Sequence, residues 1–486
     1  MIEWHTQIFA VVLFIVHWTI RLSVGLIIIM RRRSPAAAFA WLGLVALAPI
    51  PGMILYFLVG ENRLGARDVK RYRKIINRID DTGKYAQIDQ RIINSDVPQH
   101  LEPIANLVSG YGGSRPLGGN TVTILDRTDE FIQQLVNDID HAEHHCHLLY
   151  YIFNVDDFSR RIATALIKAS QRGLSCRLLV DAVGSRQLVH DDLWNELRNA
   201  NVKLAEALPV NYLRARVERL DLRNHRKLAV IDGHIAYSGS HNISAPLYPR
   251  KEIYGSWIDA TIRMQGPIAA PLQRTFIEDW GLAIGELIPD DEDLLPHLDD
   301  FIQDGIIIQT LPTGPLSPES PVQQVVLQAL HMAREEIILT TPYFVPDEAT
   351  VNAMCAAARR GVQIIMVVPR KSDNRFAQAA GRSHYGQLLD EGIEIHEFTD
   401  GLLHAKTLTI DRNFGLIGSA NLDLRSFFLN FEVGILIYNT DAASELRFLQ
   451  QKYLGESERL SQPQWRKRPY RNRLGDNIAK LMSPLL

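Results

Sequence analysis

The chain has 486 residues, enough for two or three domains and a large buried core. Lysine and arginine number 52 against 55 aspartates and glutamates, a net charge of −3, so no global basic excess marks a nucleic-acid binder. The cysteines Cys146, Cys176 and Cys355 are scattered and lack CxxC spacing, which argues against a disulfide framework or a cysteine-built zinc site and fits a reducing compartment.

In chain order, the first signal is apolar. Ile8 to Met30 is interrupted only by His17, Arg21 and a few small or neutral residues, and Pro35 to Gly60 carries no charge. Each stretch is long enough to cross a hydrocarbon core as a helix. Arg21 costs ~2.5–3.5 kcal/mol at mid-bilayer, but the 15 Ile, Leu, Val and Phe residues from Ile8 to Ile29 return ~0.3–0.6 kcal/mol each, so insertion wins. Arg21 is expected to snorkel or to face the second segment. Pro49 and Pro51 are expected to kink or break that second helix. The start Met1-Ile2-Glu3-Trp4 and two long segments do not fit a cleaved signal peptide. Arg31, Arg32 and Arg33 lie between the segments, and the larger cluster Arg63, Arg67, Lys70, Arg71, Arg73 and Lys74 follows them. The positive-inside rule then puts the bulk of the chain in the cytoplasm.

Beyond about Pro103 the periodicity alternates between strand and helix. Phe131–Ala142 predicts a helix, Leu148–Phe153 a buried strand, Arg160–Arg172 a helix stopped at Gly173, and Arg177–Val180 a strand. The pattern returns as a helix over Val322–Ala333, a strand over Ile337–Phe344, a helix over Glu348–Arg360 stopped at Gly361, and a strand over Gln363–Val368. The expectation is an α/β fold of two similar halves, each a mixed sheet flanked by helices, related by a pseudo-twofold axis and preceded by two transmembrane helices. The expected divisions are a membrane hairpin over 1–60, a juxtamembrane linker over 61–105, a first half over 106–288, a linker over 289–320, a second half over 321–460 and a basic amphipathic tail over 461–486.

Each half carries the same chemical string. His225 and Lys227 are followed by Asp232, then by Gly239-Ser240-His241-Asn242; His404 and Lys406 are followed by Asp411, then by Gly418-Ser419-Ala420-Asn421. If His225 and Lys227 share a strand they face one side, with Arg226 on the other, and Asp232-Gly233 turns the chain back. A single such string is weak, because strands with a solvated His and Lys are ordinary; two copies at identical offsets are not. A phosphodiester is anionic, so a lysine beside each histidine can hold its oxygens, with Ser240, Asn242, Ser419 and Asn421 as neutral donors. One histidine can attack phosphorus while the other moves the proton, so neither a metal ion nor another cofactor is required.

These paired motifs resemble those of the phospholipase D superfamily, over the whole chain after about residue 105. The apolar leader, with Pro49-Ile50-Pro51-Gly52, Tyr56 and Gly60-Glu61-Asn62, resembles that of the bacterial cardiolipin synthases of the A type. The resemblance implies that His225 is the nucleophile and His404 the acid/base. It places Asp232 and Asp411, the third members of the candidate catalytic set, in structural roles away from the phosphate. It also implies that carboxylates from later strands orient the histidines, for which Asp259 and Glu432 are the candidates. The implied reaction joins two phosphatidylglycerol molecules at the inner membrane; hydrolysis to phosphatidate, a nuclease and an inactive membrane scaffold are the alternatives. The expected partners are a phospholipid and a membrane, not nucleic acid, and oligomeric state is not legible.

Three further features stand apart. His141, His144, His145 and His147 surround Cys146, where a helix end entering a strand is a far simpler account than a metal site. Arg214, Arg216, Arg219 and Arg223 precede the first motif and suit either anionic headgroups or a solvated loop. From Trp465 to Lys480, basic residues mix with Tyr470, Leu474 and Ile478, a composition suited to an anionic membrane surface or to a disordered tail.

Overall fold

The computed structural model describes residues 2–31, 35–60, 64–81, 97–210, 219, 221–246, 254–288, 294, 305–317 and 319–482. Helix α1 (Ile2–Met30) contains, over Gln7–Met30, the one helix among the described residues that is long and apolar enough to cross a membrane. The second expected spanning helix is instead split into α2 (Pro35–Leu47) and α3 (Pro49–Leu55), followed by a π-helical turn over Tyr56–Gly60. Pro49 and Pro51 bring no N–H to the last turn of α2, and Ala48 leaves helical geometry at φ −134° and ψ 81°. Arg21 faces this break: its guanidinium donates to the Ala46 carbonyl in the last turn of α2. Val24 and Ile28 of α1 bury against Trp41, Val45 and Tyr56.

Helix α4 (Ala66–Asp81) occupies what reads in the sequence as a linker. It buries Ile75 and Ile79 in the core with Phe276 and Trp280 of the helix Ala269–Ile284, so the juxtamembrane segment is packed onto the body.

The first half contributes β1 (Leu117–Leu125), β2 (His145–Tyr150), β3 (Ser175–Asp181), β4 (Lys203–Ala207), β5 (Lys227–Ile231), β6 (Ile235–Gly239), β7 (Trp257–Ile258) and β8 (Thr261–Gln265). The second contributes β9 (Ile306–Thr313), β10 (Glu336–Thr340), β11 (Phe344–Val345), β12 (Gln363–Pro369), β13 (Glu394–Phe398), β14 (Leu402–Leu403), β15 (Thr407–Ile410), β16 (Phe414–Gly418), β17 (Leu422–Asp423), β18 (Glu432–Ile437) and β19 (Ser457–Arg459). From the middle outward the order is β1-β8-β6-β5-β2-β3-β4 on one side and β9-β18-β16-β15-β10-β12-β13 on the other, with β19 at the edge. Strand for strand the two orders match, and antiparallel pairing of β1 with β9 joins them.

Local chemistry repeats as well. Asp156 and Asp347 cap the helices Asp157–Gln171 and Glu348–Arg359 through the amides of Ser159 and Thr350. Gly173 and Gly361 follow those helices with φ of 96° and 92°, which a side chain would oppose. These crossover helices let β2 run parallel to β3, and β10 to β12.

One apolar cluster belongs to both halves: Leu149, Ile262 and Met264 pack with Val367, Ile417 and Val433. The halves are therefore welded through a common core. The helix Glu102–Gly110 precedes the first half in sequence, yet Ile104 and Val108 share a core with Val325 and Leu330 of the second. Strand β9 begins inside the stretch 289–320 that reads as a linker; most of residues 289–304 lies outside the described residues.

Candidate active site

The motif hairpins explain where their aspartates go. Asp232 and Gly233 take left-handed φ of 50° and 69° between β5 and β6, and Asp411 and Arg412 take 48° and 61° between β15 and β16. Asp232 then accepts from the amides of Glu143, His144 and His145, each at 2.8 Å. Asp411 accepts from Arg334, Glu335 and Glu336 at 2.8–2.9 Å. Both carboxylates tie down the loop that launches β2 or β10, at the end of the hairpin away from the histidines. Three amide donors apiece fix them at that turn.

His225 and His404 stand just ahead of β5 and β15, not within them. Each is instead stitched to the other half. His225 N donates to Phe431 O at 2.9 Å, and Phe431 N donates to Arg223 O at 3.0 Å. His404 N donates to Ile258 O at 2.7 Å, where β7 pairs with β14. These stitches set the carboxylates crosswise. Glu432, from the second half, holds His225 Nδ1 with both oxygens at 3.0 Å. Asp259, from the first half, holds His404 Nδ1 at 2.6 Å. A hydrogen bond at Nδ1 leaves Nε2 of each ring as the atom for chemistry.

Ser240 and Ser419, expected to meet substrate, are fully buried. Ser240 Oγ donates to Asp259 Oδ1 at 2.6 Å, and Ser419 Oγ donates to Glu432 Oε2 at 2.5 Å. The preceding glycines make this possible. A Cβ on Gly239 would stand 2.4 Å from Ala260 O, and one on Gly418 would stand 2.4 Å from Val433 O. Only glycine lets the turn press close enough for Ser240 N and Ser419 N to donate to those same carbonyls, at 2.8 and 3.0 Å. Asn242 commits its carbonyl oxygen to Ile152 N at 3.1 Å, leaving its amide hydrogens as donors. Asn421 borders an apolar cavity together with Lys406, and among the described residues its buried Oδ1 has no hydrogen-bond partner.

The two lysines differ. Lys227 Nζ donates to His225 O at 2.7 Å and lies 5.2 Å from the Tyr151 ring, whose edge meets the His225 ring. Lys406 Nζ reaches both His404 O at 2.7 Å and His404 Nε2 at 2.9 Å. Burial lowers both ammonium groups, Lys227 to about 7 and Lys406 to about 8, and each is held up against that by Asp259 and Glu432. Burial also brings His225 down to about 4, with Glu432 resisting and Lys227 assisting. His404 is lowered by burial and then by Lys406. Burial alone would raise Glu432 and Asp259, but their histidines and the lysines outweigh it and both stay below the usual carboxylate range. At neutral pH both imidazoles are then neutral and both carboxylates ionised, while Lys227 is about half and Lys406 mostly protonated.

Several positioning groups escape sequence reasoning. Arg226 faces the buried junction, not solvent: it pairs with Asp279 at 2.7 Å and donates to Glu432 O and Thr313 O, each at 3.0 Å. Asn430 Nδ2 donates to Glu432 Oε1 at 3.1 Å. Trp257 packs on His404 with ring centroids 4.6 Å apart. Only the position of Arg226 between the motif His and Lys could have flagged it.

Other singled-out residues lie elsewhere. The His145 and His147 rings lie tilted against each other, centroids 4.5 Å apart, inside the first half, and His141 bonds Asn137 O on its own helix. Among the described residues no group of three or more His, Cys, Asp and Glu side chains is arranged to hold a metal ion. Arg219 pairs with Asp221, and Arg223 is buried against Leu208 O and Asp181; Arg214 and Arg216 lie outside the described residues.

The chain matches the family model described as cardiolipin synthase, PLD-like domain, over residues 135–280 and 326–451, and the phospholipase D-nuclease N-terminal model over 22–61. It is 36% identical to cardiolipin synthase A of Serratia proteamaculans over 475 residues, 97% of each chain. It is 35% identical to cardiolipin synthase A of Yersinia pseudotuberculosis over 474 residues, again 97% of each. The crystal structure of phosphatidylserine synthase from Haemophilus influenzae shares the fold, with a TM-score of 0.59 at 16% identity over 80% of this chain and 100% of that one. With its duplicated sheet and crosswise His–carboxylate pairs, the chain belongs to the cardiolipin synthase family of phospholipase D-like proteins.

Proposed function

We propose that the chain is a membrane-associated phosphatidyltransferase that makes cardiolipin and glycerol from two phosphatidylglycerol molecules. His225 Nε2 attacks phosphorus, a P–N bond forms and the P–O bond to the departing glycerol breaks. His404 Nε2–H gives the leaving alkoxide its proton. A hydroxyl of the second phosphatidylglycerol then loses its proton to His404 and attacks phosphorus, and the P–N bond to His225 breaks. Lys227, Lys406 and Asn242 hold the non-bridging oxygens.

The observation that carries the assignment of roles is the asymmetry at Nε2. Lys406 lies 2.9 Å from His404 Nε2, whereas no hydrogen bond to His225 Nε2 is present among the described residues, and the His225 ring is the more accessible, 12% against 5%. A nucleophile needs an open lone pair. Charge balance supports the other role: two lysines and two carboxylates cancel, so an arriving phosphodiester monoanion favours one proton on His404.

We place α1 in the bacterial inner membrane, with α2 and α3 completing a second pass and the catalytic body on the cytoplasmic side, where the basic residues after Gly60 favour it. Purified protein in phosphatidylglycerol micelles should release glycerol and cardiolipin in equal amounts. Phosphatidate as the main product would instead assign water as the acceptor, and full activity in His225→Ala would end the proposal.

A further inference from the structure

The segment after Gly455 is folded. The helices Gln462–Arg466 and Tyr470–Met482 both pack on the helix Arg375–Asp390. Trp465 meets Tyr385 with ring centroids 5.3 Å apart, and Arg468 stacks on Trp465 and pairs with Asp476. Asp476 and Ala479 form the buried side of the last helix. At ~100° per residue, Tyr470, Leu474, Ile478, Leu481 and Met482 fall within an arc of about 120° on the opposite side. These five are between 46% and 76% exposed, which a docked helix in water has no reason to present together. Arg471 falls within the arc near its Met482 edge, Arg473 lies about 60° beyond the Tyr470 edge, and Arg466 and Lys467 lie just before the helix.

The place of this helix matters. Ala479 sits in one cluster with Val345, Ala377, Ala380 and Tyr343. Tyr343 donates to Asp373 at 2.6 Å, and Val345 pairs with Asp423, two residues beyond Asn421 of the second motif. The exposed stripe therefore flanks the catalytic cleft on the second-half side, far along the chain from α1.

We infer that the helix Tyr470–Met482 is an interfacial anchor that lays its apolar stripe into an anionic bilayer and seats the rim of the cleft on the membrane surface. An apolar arc with one arginine at an edge and another beyond the opposite edge matches the acyl boundary and phosphate layer of an anionic leaflet, whereas a protein groove would not call for these basic residues. The anchored α1 keeps the body near such a surface. The inference concerns contact with lipid, so it stands or falls independently of the reaction catalysed.

The three native cysteines are buried, so single nitroxides can be placed on the full chain at Leu474→Cys, Ile478→Cys and Leu481→Cys, with Asn199→Cys on the first half as a control. The protein is reconstituted in vesicles of phosphatidylglycerol with phosphatidylcholine, or of phosphatidylcholine alone. The expected result is high oxygen and low water-soluble chelate accessibility at the three stripe positions in anionic vesicles, at least several-fold different from Asn199→Cys, and reversed by Arg471→Glu with Arg473→Glu. Water-exposed labels in anionic vesicles overturn the inference. So do labels that become buried in detergent as protein concentration rises, which would mark the stripe as a contact between copies. Equal lipid exposure in phosphatidylcholine overturns the role given to the arginines.

Discussion

Glu432→Gln removes one charge from the site while keeping its shape, and the hydrogen-bond inventory sets the consequence. The Glu432 carboxylate accepts from His225 Nδ1, Ser419 Oγ and Asn430 Nδ2. A glutamine has only one oxygen for these three donors. If its oxygen stays with Ser419, its NH₂ faces His225 and forces the proton onto Nε2, the atom proposed to attack. If its oxygen turns to His225, the NH₂ opposes a buried hydroxyl. Wrong-tautomer substitutions in histidine–carboxylate pairs cost a factor on the order of 10³–10⁴ in kcat, or ~4–5.5 kcal/mol. Single-turnover measurements with labelled phosphatidylglycerol should show formation of the phosphatidyl-enzyme slowed by that factor, with KM changed less than about threefold. Asp259→Asn should act at the other histidine, so release of glycerol and resolution of the intermediate slow together. A Glu432→Gln enzyme within tenfold of the parent would refute the crosswise assignment.

Ser419→Ala should lower kcat by about 10–100-fold with little change in KM, because it loosens Glu432 and not the substrate; a rise in KM at constant kcat would return the hydroxyl to the phosphate. Asp411→Ala should cost about 1–3 kcal/mol in denaturant unfolding, since three amides lose their acceptor, while refolded enzyme keeps its kcat within a few-fold; loss of turnover in a stable variant would contradict this. Arg226→Ala leaves Asp279 buried beside Asn224 alone and should cost about 3–5 kcal/mol, a value below about 1 kcal/mol being incompatible with the cross-half clamp. In kcat/KM, the acid limb should lie near pH 4, because His225 attacks only when unprotonated, and the alkaline side should fall first as His404, lowered below the ordinary imidazole range, loses the proton it donates, and again between about 7 and 8 as Lys227 and then Lys406 lose their charge. The same depressed histidine binds its proton in the unfolded chain first, so stability should fall as pH drops from about 6.5 toward 4.

Elements governed by local pattern were legible in the sequence. The glycine stops at Gly173 and Gly361, the strands around Leu148 and Ile338, and the duplicated turn at Asp232 and Asp411 all follow from periodicity and turn chemistry. What the local pattern does not carry is which half serves which histidine. Glu432 reaches His225, and Asp259 reaches His404, only because Phe431 and Ile258 accept backbone bonds from the opposite half. The serines read as phosphate donors in the sequence, which does not show that Gly239 and Gly418 press against neighbouring strands and bring the hydroxyls to Asp259 and Glu432. Strand alternation correctly places Arg226 on the side of Leu228 and Val230, away from Lys227, but it does not name the partner Asp279 on a distant helix. The segments around Ile75 and Ala479 read as linker and tail because few apolar residues mark their buried faces.

The most direct test is to trap the covalent intermediate. Protein mixed with phosphatidylglycerol labelled in its phosphate, quenched within one turnover and digested, should yield a peptide carrying an alkali-stable, acid-labile phosphoramidate on His225, absent from His225→Ala. Label on His404, or steady production of cardiolipin with no labelled histidine at any time, would contradict the account.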